Sequence, residues 1–198
     1  MIKAVVFDLD GVYFDKGKKN FVKNISEKFN VDKEVFWEFF IHSNSMKKYK
    51  RGEISKDEFW NEAIVEFHIE STPDELLRIL KEGYEICPNT VELTKNLRER
   101  GIRTIVCSNN FRERVKVLQE RFNFLENFDF VVLSYEYGIL KPVLLKKVIE
   151  VSGLRPEEIV IIDDNEKTIE YAKGNGFIGV YCKDSNKIEI ELKKLGVL

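Results

Sequence analysis

The chain has 198 residues, 43% of them hydrophobic, with 32 Lys+Arg against 34 Asp+Glu for a formal charge of −2. That length and apolar content exclude a disordered or collagen-like chain and suit one domain, or a smaller core carrying an insertion. Charged residues make up 33% of the chain, but their signs nearly cancel, so no global field favours nucleic acid or an anionic membrane surface. Cys87, Cys107 and Cys182 are odd in number, far apart and without Cys-x-x-Cys spacing, which fits a reducing cytoplasm. No segment approaches the roughly 18 apolar residues needed to cross a bilayer, and the N-terminal apolar stretch is cut short by Asp8.

Taken in chain order, residues 4–7 form a continuous apolar run, as expected of a strand buried on both faces. From 14 to 86 no strand is evident, and amphipathic helical segments follow one another. Asp32 is placed to cap a helix bearing Val35, Phe36, Phe39 and Phe40 on one stripe. Ser55-x-x-Glu58 has capping-box form ahead of Phe59, Trp60, Ala63, Ile64 and Phe67, and Thr72-Pro73 opens a third helix. Both tryptophans and eight of the 15 phenylalanines fall in this stretch, which predicts a helical unit with a small core of its own. Beyond it, Gly101 ends a helix, and apolar runs at 102–107, 130–133, 159–162 and 178–181 alternate with helical patterns. Asn110-x-x-Glu113, Pro142 and Asn165 mark helix starts, and Gly153 marks an end. The alternation predicts an α/β, doubly wound parallel sheet of Rossmann-like form with an all-helical insertion.

Ligands of such sheets bind beyond the carboxyl ends of the strands. There the sequence places Asp8-Leu9-Asp10-Gly11, Ser108-Asn109-Asn110, Lys141-Pro142 and Asp163-Asp164-Asn165. Any one of these acids reads as an ordinary turn residue or cap. Four carboxylates (Asp8, Asp10, Asp163, Asp164) at one edge would repel, and a single lysine cannot neutralise them all. Oxygen donors without His or Cys beside them suit Mg²⁺, since His42 and His68 lie in the helical stretch. Lys141 occupies an expected helix N-cap, where a cation is unfavourable unless it serves an anion. Ser108 and Asn109 can donate to that same anion, so a phosphoryl group is implied.

The segments Asp8-Leu9-Asp10-Gly11-Val12, Ser108, Lys141 and Asp163-Asp164, in that order, resemble the four motifs of the haloacid dehalogenase (HAD) superfamily, most of whose members are Mg²⁺-dependent phosphatases. The helical stretch falls where subfamily I members carry a type 1 cap, which implies a core of 1–13 and 87–198 and a cap of 14–86. The resemblance implies that Asp8 attacks phosphorus and that Asp10 serves as general acid and then base, with its pKa pushed upward by neighbouring acids. Ser108 and Lys141 are implied to bind the phosphoryl oxygens. Mg²⁺ is implied to sit on the Asp8 and Asp163 carboxylates and the Asp10 backbone carbonyl, with Asp164 bound directly or through water. Residues 50–55 and 163–165 are similar to sugar-phosphatase relatives of the α-D-glucose-1-phosphate phosphatase kind. Cap helices of such enzymes imply a specificity role, so Lys47, Lys48, Lys50 and Arg51 either reach a second anionic group, with Lys47 and Arg51 the named candidates, or form a solvated basic face. The basic run Lys16-Gly17-Lys18-Lys19 near the hinge also reads as a solvated face.

The expected protein is a cytoplasmic phosphomonoesterase acting on a small phosphorylated metabolite such as a sugar phosphate, with no nucleic-acid or membrane partner. Its oligomeric state is not written in the sequence. A phosphomutase would share every core residue. A metal-independent 2-haloacid dehalogenase would not keep Asp10, and a non-catalytic phospho-acceptor or binding module of receiver type would place its acid pair after the first strand rather than late in the chain.

Overall fold

Residue by residue, the computed structural model describes the whole chain, Met1–Leu198. Four consecutive buried residues form β1 (Ala4–Phe7), after which the chain turns into the short β2 (Phe14–Asp15). Five helices follow: α1 (Gly17–Phe29), α2 (Lys33–His42), α3 (Asn44–Lys50), α4 (Lys56–Glu66) and α5 (Pro73–Gly83). Their starts are set by local chemistry. The Asp32 carboxylate accepts from the backbone N–H groups of Glu34 and Val35, Ser55 and Glu58 close a reciprocal capping box, and Thr72 precedes a proline at the first helical turn.

The chain returns through β3 (Glu85–Ile86), which pairs antiparallel with β2, Phe14 opposite Ile86. This corrects the expectation of no strand between 14 and 86. Two residues per strand are too few to show a period, and they are revealed only by their pairing. The α/β part continues with α6 (Pro88–Glu99), β4 (Arg103–Ser108), α7 (Arg112–Phe122), β5 (Phe130–Leu133), α8 (Ser134–Tyr137), α9 (Leu145–Ser152), β6 (Ile159–Asp163), α10 (Glu166–Gly174), β7 (Ile178–Tyr181) and α11 (Ile188–Lys194). The large sheet is wholly parallel in the order β5-β4-β1-β6-β7, with Phe7 level with Val106 on one side and Ile162 on the other.

Alternate strand residues build two hydrophobic layers. On one face Ala4, Val6, Ile105 and Ile161 meet Leu145 and Val148 of α9 and Ala172 of α10. On the other, Val5, Phe7, Val106 and Ile162 meet Leu93, Leu97, Val115 and Leu118 of α6 and α7. This second layer runs without a break into the helical insertion through Tyr13, Phe14, Tyr49, Trp60 and Phe111. The insertion therefore has no core of its own, because the Tyr49 ring stacks on Phe111 at 4.4 Å between ring centres and Trp60 meets the same ring edge-on. Val35, expected on the apolar stripe of α2, is exposed, while Phe36, Phe39 and Phe40 are buried. All three cysteines are free and buried, and no helix is long and apolar enough to cross a membrane.

Candidate active site

Parallel strands share one carboxyl edge, and the sheet order puts β1 between β4 and β6 there. Asp8 follows β1, Ser108 ends β4 and Asp163 ends β6, so neighbouring strands carry all three to the same place. Backbone donors orient the acids: Asp8 Oδ1 accepts from the N–H of Leu9 at 2.8 Å, and Asp163 Oδ1 from that of Asn165 at 2.8 Å. Carboxylate oxygens of Asp8, Asp163 and Asp164 lie within 4.8 Å of one another. Lys141 bridges two of them, with Nζ 2.9 Å from Asp8 Oδ2 and 2.6 Å from Asp163 Oδ2.

The electrostatics of this cluster follow from its crowding. Burial, and then the charge on Asp8, hold Asp163 above the ordinary carboxylate range despite Lys141, while withdrawal from water and the charge on Asp8 push Asp164 up to about 6. Burial disfavours the Lys141 charge, but Asp8 and Asp163 outweigh it and raise its pKa. One lysine leaves the cluster short of positive charge. The oxygen-only donor set and its spacing fit a hard divalent cation, and Mg²⁺ would be held by Asp8, Asp163 and Asp164. Gly11 makes room for this arrangement: its φ is +73°, and a Cβ there would meet Asp164 Oδ2 at 2.5 Å.

Lys141 departs from its expected position. The helix begins only at Leu145, so Lys141 is not its N-cap. Instead its backbone N–H donates to Asn109 Oδ1 at 2.7 Å, which ties the β4 and β5 loops together and aims the side chain at the acids. Ser108 is buried at the end of β4. Asn110 likewise does not cap α7, which starts at Arg112 with no side-chain cap. Its Oδ1 is taken by the Phe111 N–H at 3.1 Å and Arg114 Nε at 2.6 Å, and Glu113 is taken by the Tyr49 hydroxyl at 2.5 Å.

Asp10 stands apart from the carboxylate cluster. Its Oδ2 is 2.9 Å from Arg114 Nη2 and 2.9 Å from Lys18 Nζ, and its Oδ1 accepts from the Tyr84 hydroxyl at 3.2 Å. Burial would raise the Asp10 pKa, but the Arg114 and Lys18 charges overcome it and hold the carboxyl well below the usual range. This reverses the expected upward shift, because the groups nearest Asp10 are cations rather than acids. Arg114 is itself fully buried, with Nη1 donating to the Tyr84 hydroxyl at 2.8 Å.

Of the cap residues singled out in sequence, Lys47 and Arg51 do not converge on the acids. Lys47 is exposed on α3, and Arg51 is held by Glu53 through bonds of 2.5 and 2.9 Å, turned to solvent. Lys50 is the residue turned inward. Its side chain is half-buried, and desolvation followed by the like charges of Lys18 and Arg114 pushes its pKa down to about 7. Lys18, read as part of a solvated face, is instead bound to Asp10. A signal for Arg114 did exist: Phe111, Arg114, Val115 and Leu118 share the helical spacing of a buried face.

Comparison with known proteins adds to this geometry. A family model described as haloacid dehalogenase-like hydrolase matches residues 2–176. A phosphoglycolate phosphatase of Aquifex aeolicus is 27% identical over 183 residues, spanning 88% of this chain and 82% of the relative. Among solved structures, a HAD family enzyme of Bacteroides thetaiotaomicron in complex with magnesium and inorganic phosphate superposes with a TM-score of 0.80 at 22% identity, covering 93% of this chain and 96% of that one. A HAD-like family hydrolase from Porphyromonas gingivalis does so with a TM-score of 0.79 at 24% identity, covering 98% of each chain. These two likenesses establish a shared fold.

Proposed function

We propose, from the premise that this chain belongs to the haloacid dehalogenase-like hydrolase family, that it is a Mg²⁺-dependent phosphomonoesterase acting through an aspartyl-phosphate. The observation that carries this reading is the convergence of Asp8, Asp163 and Asp164 within 4.8 Å, with Lys141 bridging Asp8 and Asp163. When bound there, Mg²⁺ supplies charge neutralisation for the phosphoryl oxygens and the attacking carboxylate. An Asp8 carboxylate oxygen attacks phosphorus, the P–O bond to the leaving group breaks, and the leaving oxygen takes a proton from Asp10. Asp10, now a carboxylate, takes a proton from water; the water oxygen attacks phosphorus, and the bond to Asp8 breaks to release phosphate. Ser108, Asn109 and Lys141 bind the phosphoryl oxygens meanwhile.

The Arg114 and Lys18 contacts favour the ionised, water-activating form of Asp10. Acting as acid therefore requires one of these cations to be drawn away when substrate is bound. The substrate is a small phosphorylated metabolite such as a sugar phosphate, and the free buried cysteines are in keeping with a cytoplasmic setting. The A. aeolicus relative's name supports the phosphatase class.

The test is phosphate release from p-nitrophenyl phosphate and then from sugar phosphates, with and without chelator and with Asp8→Asn. Loss of turnover in both cases is expected, and activity surviving both removes the mechanism. Inorganic phosphate from glucose 1-phosphate, as opposed to glucose 6-phosphate, separates a hydrolase from a phosphomutase.

A further inference from the structure

The Asp10 carboxylate belongs to a closed ring of hydrogen bonds. Arg114 Nη2 donates to Asp10 Oδ2 at 2.9 Å, Arg114 Nη1 donates to the Tyr84 hydroxyl at 2.8 Å, and that hydroxyl donates to Asp10 Oδ1 at 3.2 Å. A planar guanidinium serves both partners at once because its donors diverge in a rigid fork. The two carboxylate oxygens are not equivalent in this ring. Oδ2 takes Arg114 and also Lys18 Nζ at 2.9 Å, so it faces two cations. Oδ1 takes the longer bond from a neutral phenol, which leaves it with open acceptor capacity.

The ring members are themselves held still. Arg114 Nε donates to Asn110 Oδ1 at 2.6 Å, and the guanidinium lies over the Phe111 and Tyr84 rings, 5.4 and 5.6 Å from their centres. Arg114 and Tyr84 are both buried, and the Tyr84 ring packs edge-on against Phe14 and closely against Gly17. Asn110 is fixed in turn, its backbone N–H donating to Ser134 Oγ at 2.9 Å. Because Asn110 lies two residues beyond Ser108, one loop carries the proposed phosphoryl donors and also the support of Arg114. Tyr84 reaches the ring from the other side, where the chain leaves α5 and rejoins the core. Lys18, by contrast, is partly exposed and held by Asp10 alone. A buried polar network with its members satisfied is rigid.

We propose that Arg114 and Tyr84 are positioning residues that lock the Asp10 carboxylate, so that Oδ1 is the oxygen which passes a proton to the leaving group and later takes one from water. This rests on the phosphomonoesterase reading of the site. Both residues act through Asp10 rather than on the phosphoryl group. Opening the ring frees the carboxylate to rotate about its Cβ–Cγ bond, and proton transfer then suffers most where the leaving oxygen is most basic. An ester whose leaving group departs as a stable anion needs that proton least.

A pair of esters that differ mainly in leaving-group basicity separates this role from a structural one. Tyr84→Phe keeps the packed ring and removes only the hydroxyl, while Arg114→Lys keeps the charge but cannot span Asp10 and Tyr84. With Mg²⁺ present, each variant should lower kcat/KM for phenyl phosphate by about tenfold more than for p-nitrophenyl phosphate. A merely structural role would lower both alike. An equal loss on the two esters, or no loss on either, overturns the proposal. Should Arg114→Lys fail to fold, Tyr84→Phe makes the comparison alone. If the unmodified enzyme cleaves neither ester with Mg²⁺, the phosphatase reading falls and the proposal with it; turnover by the unmodified enzyme without the selective loss in the variants removes the proposal alone.

Discussion

Arg114 shows how a residue with no motif around it can govern a site. It is sealed in the core side of α7 and meets Asp10, Tyr84 and Asn110 at once. Replacing it with Met should destabilise the protein by about 3–5 kcal/mol, because a buried carboxylate is left with less compensation; urea denaturation measures this. Asp164 gives a pH dependence of known sign. Its folded pKa of about 6 lies above the ordinary aspartate value of 3.8, so its contribution to stability is fully present below 3.8 and is lost as pH rises through 6. Without metal, the unfolding temperature should therefore fall between pH 5 and pH 7. Mg²⁺ affinity should weaken by about tenfold per pH unit below 6, as a proton competes for the same oxygen; calorimetry at pH 5, 6 and 7 checks both. At this scale the sequence displayed the acids, Ser108 and Lys141, because they follow strands at fixed offsets. It concealed the sign of the Asp10 shift, since Arg114 and Lys18 come from opposite sides of the cap–core boundary.

Elements were legible where local rules act alone. The five parallel strands are short and mostly apolar, and Asp32, Ser55, Thr72 and Asn165 cap as their chemistry dictates. Asn110-x-x-Glu113 misled because both of its side chains are recruited elsewhere, Asn110 by the nearby Arg114 and Glu113 by the distant Tyr49. The ribbon of β2 and β3 was invisible for want of length. The α3 helix depends on its seam with α8: Ser134 Oγ donates to the Lys50 carbonyl and accepts from the Asn110 N–H at 2.9 Å. Ser134→Ala should cost about 1–3 kcal/mol by leaving buried polar groups unpaired, and should raise KM more than it lowers kcat; denaturation and steady-state kinetics check this. Gly17 is the other tight point. A Cβ there would meet the Tyr84 ring at 2.3 Å, so Gly17→Ala should displace Tyr84 from Asp10 and depress kcat, measured in the same assay.

Over the whole molecule, cap and core share one apolar layer, so they should unfold as a unit. Trp37 and Trp60 both lie in the inserted helices, α2 and α4, so their fluorescence reports the insertion and its contact with Phe111, while far-ultraviolet circular dichroism reports every helix. The two thermal transitions should coincide; a fluorescence change well below the dichroism change would mean an independently melting cap. The alternation of strands and helices made the parallel α/β sheet and the inserted run of helices readable. Which cap lysine faces inward was not readable, because that depends on how α3 is turned against α7 and α8. The sheet order also governs when the molecule becomes chemically competent during its making. Asp8 emerges from the ribosome early, but its neighbour β6, with Asp163 and Asp164, is translated only after most of the chain. A polypeptide ending before Asp163 therefore carries Asp8 and Lys141 without the other two carboxylates of the cluster, and the proposed metal site is completed only when synthesis is nearly finished.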